Sequence, residues 1–285
     1  MMSSPQDTIY GALDDNTCDI EKGAQSEIPV ASQVTSTRDN ISKHALFNHT
    51  SHFWATEAEY YDGSHSRSLR MQFISKVYSI LTFQLLLTVI VGSVFIEVSP
   101  VRELVVANAS TFVLVTIIPT FLTILALTFY KDEYPTNYIL LVTFTLLEAL
   151  SIGTVCAVYQ QSGAGALVLQ AAFITLCVFL CLTVFSFQTR IDFTPYTGLL
   201  LMMLVALLVT GLIASLFGFQ IHTLYATLGA VIFCAFIVVD TQMIMNRLGY
   251  GDYIIASIEL YLDILNLFLF VLQLLTNNSR ADRGG

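Results

Sequence analysis

From residue 73 onward the chain alternates long apolar runs with short polar breaks. Each run is close to the roughly 20 residues that an α-helix needs to cross a bilayer. The pattern predicts helices near 73–97, 104–130, 136–159, 164–187, 197–217, 222–246 and 254–276. The breaks include Pro100-Val-Arg-Glu103, Lys131-Asp-Glu-Tyr-Pro135 and Arg247-Leu-Gly-Tyr-Gly-Asp252. Pro119 lies inside the second run and predicts a kink, which membrane helices tolerate because neighbouring groups re-satisfy the freed carbonyl. The expected fold is therefore all-α: a polytopic membrane protein with a seven-helix bundle over 71–276. Residues 1–70 are rich in Ser, Thr, Asp, Asn and Gln and read as a disordered acidic cytosolic tail. They hold no signal-peptide apolar region, so the first span is expected to serve as the insertion signal. Residues 277–285 read as a short polar carboxyl-terminal tail.

Composition fits this reading. Of the 285 residues, 55% are hydrophobic and 12% charged, against about 25% charged in soluble domains. The net charge of −9 is concentrated at one end: residues 1–62 carry ten Asp or Glu against three Lys or Arg. The acidity thus describes the tail more than the membrane part, and no basic patch suggests nucleic acid. Basic residues in short loops set the orientation. Arg67, Arg70 and Lys76 flank the first span, and Lys131, Arg190 and Arg247 fall in loops on the same side, whereas the opposite loops hold Arg102. This places the amino terminus in the cytosol. The carboxyl end is less determined. Seven full spans put it outside, Arg280 and Arg283 favour the cytosol, and the last segment is either a central helix shielded by six others or a re-entrant one.

Polar groups inside the spans carry the candidate chemistry. Asp240, Glu259, Asp263 and Glu148 all lie within apolar runs, where a carboxylate at mid-bilayer costs about 2.5–3.5 kcal/mol on insertion scales. At about 1.5 Å per residue, Asp240 and Glu259 lie roughly 10 Å from the cytosolic face, Asp263 roughly 16 Å and Glu148 roughly 17 Å. Glu259, Asp263 and Asn266 follow i, i+4, i+7, one face of one helix. That stripe is expected to meet Asp240 on the preceding antiparallel helix. Two carboxyl groups in contact cannot both ionise cheaply, so they share a proton and titrate as a unit. The expectation is a proton-sensitive latch, and hard oxygen ligands of this kind also suit Ca²⁺. A single acid could merely hydrogen-bond a neighbouring helix; three at similar depth on adjoining helices argue against that. Asn266 and Gln84 read also as helix–helix glue, and His222 as an interface residue. Cys156, Cys177, Cys181 and Cys234 lie in apolar runs and behave as small hydrophobes. Cys18 and the Asn48-His-Thr sequon lie in the tail. No Cys/His metal spacing appears, and no cofactor is expected.

The closing segment, Gly229-Ala-Val-Ile-Phe to Asp240-Thr-Gln followed by Ala256-Ser-Ile-Glu-Leu-Tyr-Leu-Asp-Ile-Leu-Asn-Leu-Phe268, resembles the transmembrane Bax-inhibitor-motif family. Lys131-Asp-Glu-Tyr-Pro-Thr-Asn-Tyr138 and the Glu148 segment resemble its lifeguard branch, and the likeness covers about residues 70–276. The resemblance implies seven helices with the last one central. It also implies a pH-sensitive Ca²⁺ leak from intracellular stores, with Ca²⁺ as permeant ion, and protection against stress-induced cell death. Asp240 and Asp263 match the family's paired aspartates, which makes them the sensor and transient Ca²⁺ ligands, with Glu259, Glu148 and Asn266 as further path residues. The family's basic latch near the end of the second helix falls at Tyr130–Lys131, where Lys131 offers a point charge in place of an arginine fork. An endoplasmic reticulum membrane is implied, with vacuolar or Golgi membranes as alternatives. Partners beyond the bilayer, Ca²⁺ and protons would be membrane proteins of cell-death or stress pathways.

Three rivals remain. An intramembrane aspartyl protease also sets one Asp on each of two late helices, but it has Tyr-Asp, Gly-x-Gly-Asp and Pro-Ala-Leu motifs. Here Asp240 follows Val-Val, Asp263 follows Tyr-Leu, and no Pro-Ala-Leu follows, so the chain reads as no enzyme. A non-conducting scaffold or modulator of cell-death or unfolded-protein-response partners is the main alternative. A proton-coupled transporter is the third.

Overall fold

The computed structural model describes residues 67–218 and 221–284, with side chains through 279. The tail reading of residues 1–66, with Cys18 and the sequon at Asn48, lies outside these described residues. Eight α-helices occur among them. They are α1 (Arg67–Glu97), α2 (Ser99–Ala107), α3 (Ala109–Tyr130), α4 (Thr136–Gln161), α5 (Gly165–Gln188), α6 (Thr197–Phe217), α7 (His222–Asn246) and α8 (Tyr253–Gly284). Seven are long and apolar enough to cross a bilayer; α2 is the short exception.

The structure differs from the predicted elements in four respects. Residues 100–103, expected as a break, belong to α2, because Pro100 sits in the first turn where its missing N–H is not needed. Asn108 then separates α2 from α3: its side-chain amide donates to the Leu104 carbonyl and its backbone leaves the helical region. The expected single helix over 104–130 is therefore two. α1 begins six residues earlier than predicted, and α8 continues through the residues expected as a polar tail.

Burial inverts the usual rule. On α3 the buried residues are Thr116, Thr120, Thr123 and Leu127, at i, i+4, i+7, i+11. Leu114, Ile118, Phe121 and Phe129 of the same helix are exposed. On α5 the buried stripe is Val168, Ala171, Thr175, Phe179, Thr183 and Ser186. Between helices in lipid there is no hydrophobic drive, so small and hydroxyl-bearing residues take the contacts and the large apolar ones face the acyl chains. The Thr116 and Ser151 hydroxyls meet at 2.7 Å and join α3 to α4.

α8 lies at the centre, as expected. Leu260 and Tyr261 have no exposure, and Ile254, Ala256, Leu267 and Leu272 have 1%. It packs chiefly on α7, then on α5, with α4 contributing less, and α1 reaches it through Thr88, whose Oγ1 is 2.7 Å from the Tyr261 hydroxyl. One substitution-sensitive position fixes the α7–α8 approach. A Cβ on Gly229 would fall 2.5 Å from the Phe270 ring, so only glycine lets that ring lie against α7.

Candidate functional site

The site is assembled from α7 and α8, which form a hairpin across residues 247–252. The carboxyl groups of Asp240 on α7 and Asp263 on α8 face each other within hydrogen-bonding reach. Asp263 is 6% exposed, and its Oδ2 is buried without a partner. Ionised carboxylates only accept hydrogen bonds, so the two can bond to each other only when the pair holds a proton. The depth estimate from sequence matched Asp240 with Glu259 more closely than with Asp263. The hairpin's register explains the difference. Asp240 opposite Asp263 sets Arg247 opposite Ala256, so α8 starts four residues, about 6 Å, further out than α7 ends.

The other candidate residues occupy different places. Glu259 lies one turn toward the hairpin loop with its side chain exposed, in the fields of Asp240 and Asp252. Asn266, half-buried, donates to its own helix at Leu262 O (2.8 Å). Glu148 is not brought to the pair. It is half-buried beside Tyr261, at the edge of a second polar chain. In that chain Tyr261 meets Thr88, Thr88 donates to Gln84 O (2.9 Å), and Gln84 Nε2 donates to Thr145 Oγ1 (3.2 Å). Gln84 is fully buried and its Oε1 has no partner. Among the described residues no three or more His, Cys, Asp or Glu groups converge to hold a metal ion. A resident Ca²⁺ ion takes six to eight oxygens, more than the four carboxyl oxygens that the pair supplies.

Lys131 is a correction to the expected latch. Its Nζ is 2.7 Å from Asp252 Oδ1, so it clasps the start of α8 and does not reach Asp240 or Asp263. The reason is geometric: Lys131 caps α3 at the bilayer edge, whereas Asp263 lies eleven residues, about 16 Å, down α8 from Asp252. The hydrogen bond and charge of Asp252 hold the Lys131 amine above the ordinary lysine range.

Further cations gather round the same loop. Arg70 Nη1 donates to Leu248 O (2.7 Å), and its guanidinium lies 4.9 Å from the Tyr250 ring centre. Lys76 Nζ sits 3.3 Å above the Tyr253 ring. Arg247 Nη2 pairs with Asp192 Oδ2 at 2.7 Å. Asp192 is held below the ordinary carboxylate range, first by the Thr194 hydroxyl and backbone N–H and then by Arg247. Gln242 completes the strap, accepting from Phe193 N (2.7 Å) and donating to Ile191 O (2.8 Å).

Sequence reasoning missed one cluster. The Tyr78 hydroxyl of α1 approaches Thr183 of α5 and Thr241 of α7, and all three oxygens are buried without a hydrogen bond of good geometry. Thr183 and Ser186 on a shared face of α5 were the available signal.

Fold and site together define a polytopic helical membrane protein with a carboxyl pair held between its last two spans. The chain belongs to the family described as "Inhibitor of apoptosis-promoting Bax1", which it matches across residues 70–280. It is 37% identical to human Protein lifeguard 3 over 220 residues, 73% of this chain and 70% of that protein. It is 36% identical to Bax inhibitor 1 of Schizosaccharomyces pombe over 212 residues, 74% of this chain and 78% of that one. To the Golgi anti-apoptotic protein of vaccinia virus (strain Lister) it is 35% identical over 213 residues, 74% and 88% of the two chains.

Proposed function

We propose that this chain is a pH-sensitive Ca²⁺ leak channel of an intracellular membrane that restrains stress-induced cell death. The observation that carries the proposal is the close approach of Asp240 and Asp263, two carboxyl groups facing each other inside the bundle. Gaining or losing a proton there changes the charge sandwiched between α7 and α8. Charge held in a low-dielectric interior is expensive unless paired, so the close packing of the two helices depends on the proton count. Glu259 and Asp252 extend the acidic face toward the Lys131 loop and would draw a divalent cation to the pair. The cell-death role is carried over from the family's description and from relatives named for inhibiting Bax or for anti-apoptotic action. The membrane is proposed to be the endoplasmic reticulum, with the tail in the cytosol; a relative named for the Golgi makes that compartment the first alternative to check.

The test is Ca²⁺ flux into liposomes carrying the purified full-length chain, measured across pH for the wild type, Asp240→Asn and Asp263→Asn. The wild type is expected to leak with a pH-dependent rate and both variants with a flattened profile. Absence of flux at any pH would instead make the chain a non-conducting scaffold. Flux with an unchanged pH profile in both variants would move the sensor elsewhere, with Glu259 the next residue to replace.

A further inference from the structure

The polar face of α8 does not end at Asn266. Continuing at the same spacing, Glu259, Asp263 and Asn266 are followed by Phe270, Gln273 and Asn277. One face thus runs acidic, then aromatic, then neutral polar. The aromatic position is the most crowded point of the α7–α8 seam. The Phe270 ring stacks on Phe233 at 5.8 Å and 26°, tilts against Tyr225 at 5.7 Å, and rests over Gly229 where a Cβ would stand 2.5 Å away. Phe236 extends the cluster at 6.0 Å from Phe233. The Tyr225 hydroxyl end in turn lies against Gly211 of α6 and braces the cluster from the far side.

The antiparallel register fixes the depth of this cluster. Seven residues separate Asp240 from Phe233 and Asp263 from Phe270, so the stacked rings lie two turns, about 10 Å, from the carboxyl pair. Beyond the rings the seam opens into a cavity of about 300 Å³, whose polar lining is Tyr159, His222, Gln273, Thr276 and Asn277. The Asn277 amide nitrogen there is buried without a partner. Polar groups therefore stand on both sides of a layer made mainly of aromatic rings, with the Tyr225 hydroxyl turned away toward Gly211.

Building on the conducting reading above, we infer that the Phe270–Phe233 stack is the hydrophobic gate of the ion path, set between the carboxyl pair and this cavity. A constriction lined by aromatic rings passes no hydrated ion while it stays dewetted. The carboxyl pair governs the gate from two turns away: separating α7 from α8 at Asp240 and Asp263 unstacks rings contributed by the same two helices. Gly229 lets the ring lie flat on α7. The cavity, lined by the Tyr159 and Thr276 hydroxyls, the Gln273 and Asn277 amides and the His222 imidazole, is the vestibule in which a divalent cation keeps part of its water before or after the rings.

The experiment compares Ca²⁺ and sulforhodamine flux in liposomes carrying wild type, Phe270→Ala or Phe270→Leu, across the same pH range. With the ring removed, Ca²⁺ flux at the least permissive pH is expected to rise by about tenfold or more, as loss of a dewetted barrier demands. Sulforhodamine should stay excluded, and Phe270→Leu, which keeps an apolar plug, should remain near wild type. A conducting wild type with Phe270→Ala at the same rate would overturn the gate and leave the channel reading intact. Equal leakage of sulforhodamine through Phe270→Ala would also overturn it, because the ring would then matter only for packing. Silence from wild type and both variants at every pH removes the channel reading, and the gate with it. A silent wild type beside a Ca²⁺-selective Phe270→Ala variant supports the gate.

Discussion

α6 and α8 are both spans, and composition alone ranks them the wrong way round for burial. α6 is the more apolar, with mean hydropathy 2.7 over its best 18-residue window against 2.0 for α8. Yet 11% of that window is buried in α6 and 67% in α8. In water the greasier helix would be the core. In a bilayer it is the one that can face lipid at no cost, and the helix carrying Ser257, Asp263 and Asn266 must be covered by protein. Polar content selects the central helix here, and hydrophobicity selects the periphery.

Truncating one side chain on each helix should produce the largest separation. Tyr261→Ala removes a fully buried ring that also holds Thr88, and it should cost about 3–5 kcal/mol. Leu208→Ala on α6, where the side chain is 60% exposed, should change stability by no more than about 0.5 kcal/mol. Reversible unfolding in detergent or bicelles would measure both, and comparable losses would break the comparison.

Gly229→Ala should come next. The added methyl meets the Phe270 ring at 2.5 Å, and overpacking of this kind costs about 1–3 kcal/mol. At Gly198 on α6, where a Cβ meets nothing within 4 Å, alanine should be harmless or mildly stabilising in the same assay.

Gln84→Leu should have a small effect of the opposite sign to most core changes. Gln84 is wholly buried, one amide oxygen has no partner, and its single bond to Thr145 is 3.2 Å long. Interhelical hydrogen bonds in membranes average about 0.6 kcal/mol, so removing this one together with its orphan acceptor should leave stability unchanged or slightly raised. A large loss would show that the Tyr261–Thr88–Gln84–Thr145 chain works as a unit.

The ion pairs at the hairpin loop should give the smallest effects, with opposite pH signatures. Asp192, held below the ordinary carboxylate range, contributes stability above its unfolded value, and that contribution is lost as pH falls through its folded one. Lys131, held above the ordinary lysine range, contributes below its unfolded value and loses it as pH rises through the folded one. Thermal melts of Asp192→Asn and Lys131→Met against wild type should therefore converge at acid and alkaline pH respectively, and both differences should shrink in high salt.

Much of this was legible beforehand. Seven spans, an α8 polar stripe and acids at similar depth followed from run length and helical spacing, because both depend only on local geometry. Residues 100–103 were read as a break and Asn108 as helix interior, since a short helix and a loop have nearly the same composition. The choice between Glu259 and Asp263 was open because depth was counted from each helix's own end, and the hairpin offsets those ends by about a turn. Lys131 was placed on the pair by resemblance; its actual partner, Asp252, is 121 residues away and no local pattern points to it. The hydroxyls of Tyr78, Thr183 and Thr241 come from three helices, and a single-helix pattern cannot show that they meet.

By itself the sequence determined that this protein lives in a membrane, which seven segments are long and apolar enough to cross it, and how far down each its costly polar groups lie. Those are properties of one helix against a solvent, and a linear chain records them. Tertiary structure alone decided which carboxyl group faces which and which lysine guards the loop. It also set an aromatic stack between the carboxyl pair and a polar cavity. Those outcomes depend on the axial offset and rotation of neighbouring helices, which are set by contacts such as Gly229 under Phe270 between residues far apart in the chain.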